Sequence, residues 1–125
     1  MADNTALSAG CLAYIGDAIF ELYVRKMLLA QGNRPLNVLN KQAKKYVSAP
    51  AQAKMYQHIL PHLSDEERAV MKRGRNLHSS SKAKNAGVSE YRHATGLEAL
   101  FGYLFVNERH ERLEEIYKLC IEIRE

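Results

Sequence analysis

The sequence is poor in cysteine. Cys11 and Cys120 are the only two, each inside an amphipathic helical pattern. Two are too few for a disulfide framework, and no zinc-binding spacing surrounds them; they read as buried thiols of a reducing compartment. The opening MADNTALSAG has neither a positive start nor an apolar core, so a secretory signal is not expected. No apolar run is long enough to cross a membrane as a helix. The expected location is therefore cytoplasmic. Internal repeats, strand-like alternation and a serine or cysteine nucleophile arrangement are also missing, and Ser79 to Ser81 read as loop.

What is present suits one helical domain. At 125 residues and 46% hydrophobic, the chain can build one real core. The net charge is +4, but it is unevenly spread. Residues 41–92 carry eleven bases and four acids, whereas residues 93–125 carry four bases and seven acids. A basic middle suits a local surface for an anionic partner; a merely solvated face is the plainer alternative.

Apolar residues recur at three and four throughout, predicting helices. The first covers Leu7 to Ala30 and stops before Gly32 and Pro35. A basic helix covers Leu36 to Val47. Ser48 caps a third, from Pro50 to Leu60. Ser64 and Glu67 form a capping box for a fourth, running from Asp65 into RGRN. NLHSSSKAKNAG then reads as a loop. Ser89 to Val106 is apolar around much of its circumference and must be central, and Glu108 to Ile123 closes the chain as an amphipathic packing helix. The fold class is all-α, with six or seven helices.

Two acids do not fit this pattern. Asp17 lies between Gly16 and Ala18 in LAYIGDAIFELYVRKMLL, and Glu98 is the lone acid in HATGLEALFGYLF. Gly96 and Gly102 flank Glu98, although each glycine costs a helix about 1 kcal/mol against alanine. Close helix approach would explain them. Two tightly crossing helices, each offering one acid, would make an oxygen-only site for a hard cation such as Mg²⁺ or Mn²⁺. The alternative is that the acids pair with bases such as Arg25 or Arg92, or face solvent.

AYIGDAIFELYVRKMLL resembles the signature segment of ribonuclease III endonuclease domains, and ATGLEALFGYLF resembles their second acidic segment. AKKYVSAPAQAKMY, EERAVMKRGRNLHS and YRHATGLEALFGYL are similar to one branch, Mini-ribonuclease III, which has no appended double-stranded-RNA-binding domain. The likeness covers roughly Leu7 to Leu119. It implies that Asp17 and Glu98 are the catalytic, metal-holding acids, with Mg²⁺ as cofactor and Mn²⁺ as substitute. Three further acids of full-length family members are replaced here, by Gly10, Ala13 and Thr95. The branch shares that departure.

The resemblance also implies a homodimer, with Ala13, Tyr14 and Phe20 as interface candidates. The implied reaction is endonucleolytic cleavage of double-stranded RNA by metal-activated water, giving 5′-phosphate and 3′-hydroxyl ends. The implied substrate is the 23S ribosomal RNA precursor, with a ribosomal protein as a helper. Duplex RNA is gripped mainly through phosphates and 2′-hydroxyls. Lys72, Arg73, Arg75, Asn76, His78, Lys82, Lys84 and Arg92 are the candidates for that contact, centred on a basic loop at residues 76–88. Two rival readings remain: a catalytically inactive duplex-binding or ribosome-associated relative, and an unrelated helical interaction protein whose acids form salt bridges.

Overall fold

The computed structural model describes residues 7–77 and 87–124. Ser8 starts the first helix by accepting the Cys11 N–H on its Oγ at 3.1 Å. That helix, α1, spans Ala9–Leu29. It is followed by α2 (Leu36–Val47), α3 (Ala49–Ile59), α4 (Asp65–Arg75), α5 (Val88–Val106) and α6 (His110–Ile121). A single 3-10 turn follows α3 at Leu60–His62, and another follows α6 at Glu122–Arg124. Among the described residues there is no strand. The all-α expectation holds, with six α-helices among those residues.

The caps explain the boundaries. Ser48 ends α2 and caps α3 in one step, its Oγ accepting the Ala51 N–H. The capping box at α4 is complete: Glu67 N–H donates to Ser64 Oγ at 3.1 Å, and Ser64 N–H donates to Glu67 Oε1 at 2.9 Å. The turn from α5 into α6 uses Glu108 at φ 59°, where Arg109 N–H reaches back to the Leu104 carbonyl at 2.9 Å.

Helix α5 is the axis of the molecule and touches α1, α3, α4 and α6. Phe101 of α5 meets Phe20 of α1 edge to face at 5.1 Å between centroids, and Tyr23 and Tyr117 join the same aromatic cluster. Phe20 and Phe101 are almost fully buried. Each side chain buried this way contributes roughly 1.5–3 kcal/mol. Arg112 of α6 ties the far side together, donating to both carboxylate oxygens of buried Glu67 at 2.8 Å. The arginine holds the Glu67 carboxyl below its ordinary range.

Candidate active site

Helices α1 and α5 cross with their backbones in contact. A Cβ on Gly16 would lie 1.7 Å from the Glu98 carbonyl oxygen, and one on Gly102 would lie 2.0 Å from the Leu12 carbonyl oxygen. No side chain fits either place. A second crossing lies on another side of α5. A Cβ on Gly74 of α4 would be 2.9 Å from Gly96 Cα, and one on Gly96 would be 2.7 Å from the Met71 carbonyl oxygen. Glycines that weaken isolated helices thus let α1 and α4 both pack closely on α5.

The first crossing brings Asp17 and Glu98 together. Their carboxyls are within hydrogen-bonding reach, although 81 positions separate them in the chain. Burial first, and then the Asp17 charge, push the Glu98 carboxyl up to about 8. The nearby Glu21 charge adds to the rise, and a hydrogen bond from Gln52 opposes it. Asp17 itself is exposed. It opens onto a groove of about 760 Å³ along α1, shared with Tyr14, Glu21, Leu22 and Arg25. Arg25 does not serve Asp17; it pairs with Glu21 at 3.1 Å.

Such a pair needs a shared proton or a cation. Its donors are all oxygen, the preference of a hard divalent ion, so the residues fit Mg²⁺ or Mn²⁺. Among the described residues no group of three or more His, Cys, Asp or Glu side chains converges to hold an ion. Thr95 donates its hydroxyl to the Tyr91 carbonyl at 3.0 Å. Asp17 and Glu98 are the two carboxyls that the crossing sets side by side, with the Glu21 charge nearby.

The family model for the Ribonuclease III domain matches residues 11–109, which contain both acids and both crossings. The chain belongs to the ribonuclease III family. It falls within the Mini-ribonuclease III branch. It is 48% identical over 123 residues to Mini-ribonuclease 3 of Enterococcus faecalis, covering 97% of this chain and 93% of that one. With Mini-ribonuclease 3 of Thermoanaerobacter sp. it shares 45% over 120 residues, covering 96% and 84%. A crystal structure of a Fusobacterium nucleatum protein superposes with a TM-score of 0.81 at 33% identity, covering 94% and 93% of the two chains. Membership in this ribonuclease family makes the chain an endoribonuclease, and the family is generally dependent on divalent metal.

Part of the expected basic surface lies at the C-terminal end of α4. Lys72, Arg73 and Asn76 are exposed at the end of α4, the helix that Gly74 seats on α5 next to Gly96. Bases in a last turn also complement the helix dipole, so their location has a structural reason too. Arg75 is less free: it donates to Asn76 Oδ1 at 3.3 Å and lies against the Tyr56 hydroxyl. Arg92 is half-buried, and its Nε is shielded from solvent without a hydrogen-bond partner. His78, Lys82 and Lys84 lie outside the described residues, as does most of the expected 76–88 loop.

The three interface candidates separate. Tyr14 is 85% exposed at the groove, near exposed Leu22. Phe20 is a correction: it points into the protomer's own core against Phe101 and Tyr117 and offers no surface. Ala13 is also buried, packed with Leu12 and Ala99. Sequence reasoning passed over Gln52, a buried amide beside Glu98. Its only signal was one polar residue amid the alanines of SAPAQAKMY.

Proposed function

We propose that the chain cleaves double-stranded RNA with Mg²⁺ as its ion, Mn²⁺ substituting, and that its biological substrate is the paired ends of the 23S ribosomal RNA precursor. The observation that carries this reading is the Asp17–Glu98 pair at the glycine crossing. The close similarity to proteins named Mini-ribonuclease 3 supports it. Asp17 and Glu98 would hold the ion. When bound, the ion offsets their negative charge, lowers the pKa of water and takes up charge developing on a phosphodiester.

The rest of the chemistry belongs to the chain. Asp17, on the exposed side, meets the RNA backbone as it arrives along the groove. Glu98 and the helix crossing behind it hold that acid at a fixed depth. Lys72 and Arg73 meet neighbouring phosphates, whose negative charge the acids would otherwise repel. Water adds to phosphorus opposite the leaving 3′-oxygen. Products carry a 5′-phosphate and a 3′-hydroxyl.

A duplex has two strands to cut, and one protomer holds one such pair. The reading is therefore of a cytoplasmic homodimer, with Tyr14 and Leu22 on the groove side of α1 as the facing surface. Purified protein should cut both strands of a duplex built from the 23S precursor stem, with and without a ribosomal protein helper. Single-stranded RNA and duplex DNA should survive. Equal cleavage of single strands would contradict the substrate assignment, and an arbitrary duplex cut as well as the precursor stem would contradict the 23S preference.

A further inference from the structure

Among the described residues two polar side chains are buried as deeply as the core, Glu67 and Gln52. Glu67 is explained by its capping box and by Arg112. Nothing in its own helix explains Gln52. The first turn of α3 is capped by Ser48, and the Gln52 backbone N–H already donates to the Ser48 carbonyl at 2.9 Å. An alanine or leucine would serve packing there without burying an amide.

Gln52 is buried where α3 packs on α5, with its side-chain amide beside the Glu98 carboxyl and placed to favour its charged form. The backbone explains how it gets there. Tyr56, one turn along the same face of α3, packs onto Gly96: a Cβ on Gly96 would stand 2.8 Å from the tyrosine Cε2. That bare spot on α5 lets α3 approach closely, two residues before Glu98. A glutamate side chain has several rotatable bonds, and an amide N–H donated to one of its oxygens fixes which way the other points.

We propose that Gln52 is a positioning residue of the centre, holding the Glu98 carboxylate in the orientation in which it and Asp17 take one divalent cation. The inference rests on the divalent-metal reading of that pair.

Mn²⁺ binding to the full chain, measured by calorimetry, tests it in the parent, Gln52→Met and Asp17→Asn. Methionine keeps the volume and removes the donor. The expected result is Mn²⁺ affinity lowered about tenfold or more in Gln52→Met, in the range seen when such supporting partners are lost. The metal-free melting temperature should stay near the parent's. Turnover on duplex RNA should fall in kcat with KM unchanged, a split that a loosened core would not produce. Parent-like Mn²⁺ affinity in Gln52→Met would overturn this inference alone. A parent that binds no Mn²⁺, or an Asp17→Asn protein that binds it equally, would overturn the metal centre and this inference with it. Should Gln52→Met not fold, the side-chain amide of Gln52 in the parent can be followed by NMR. Resonances displaced from those of a solvated glutamine, and moving with added Mg²⁺, support the proposal. Solvent-like resonances indifferent to Mg²⁺ overturn it.

Discussion

Gly16 lies directly on the carbonyl of Glu98: a methyl group at Gly16 would stand 1.7 Å from that oxygen. Backbone meets backbone there, so neither side can move a flexible tip aside. The same contact that packs α1 on α5 sets Asp17 beside Glu98.

Gly16→Ala should therefore destabilise the protein by about 3 kcal/mol or more, at or beyond the upper range for overpacking. The melting temperature should drop by roughly 10 °C. Gly10→Ala is the control. A Cβ there meets nothing nearer than 3.8 Å, and alanine favours the helix, so its melting temperature should stay level or rise slightly. Calorimetry on both variants checks the contrast.

The raised Glu98 carboxyl predicts a pH dependence. The folded metal-free protein keeps a proton on Glu98 up to about pH 8, whereas the unfolded chain loses it near 4.5. The folded state thus binds more protons across that window. This contribution to stability is full below about pH 4.5 and is lost as pH rises through 8. The total loss is roughly a few kcal/mol. Thermal melts in EDTA from pH 5 to 8.5 should show the decline, and Glu98→Gln should flatten it. Mg²⁺ should stabilise the parent more at pH 8 than at pH 5, because at the lower pH it must displace a proton.

Much of the skeleton was legible in the sequence because helices of this chain follow local rules. The Leu36–Val47 helix and the Ser64–Glu67 capping box stand where periodicity and cap chemistry put them. The acid pair was legible as a conflict: an acid between small residues, twice, has few stable explanations. Other features depend on which elements meet. Phe20 was an interface candidate through the family resemblance, yet α1 is covered on more than one side and buries both Ile19 and Phe20. Gln52 and Arg112 acquire meaning only from Glu98 and Glu67, which are 46 and 45 positions away. No local pattern records such partners.

Arg112→Ala should be among the most damaging changes remote from the site. It leaves the Glu67 carboxylate buried with its main partner gone, which typically costs about 3–5 kcal/mol. Urea unfolding at pH 7 measures this. The pairing lowers the Glu67 carboxyl, so its contribution is present at neutral pH and fades as pH falls below the ordinary glutamate range. The penalty of Arg112→Ala should shrink in the same acidic window.

Lys72→Ala and Arg73→Ala should weaken duplex RNA binding without unfolding α4, since both side chains are exposed. The plot of log affinity against log salt should flatten by roughly one unit for each lost phosphate contact. An unchanged salt slope would remove this end of α4 from the interface.

The most direct test joins cleavage with binding. Parent, Asp17→Asn and Glu98→Gln are each given labelled duplex RNA with and without Mg²⁺, and complex formation is measured in the same tubes. The expected result is Mg²⁺-dependent cutting of both strands by the parent, and intact RNA bound with parent-like affinity by both variants. Undiminished cutting by Asp17→Asn would contradict the assignment of the centre.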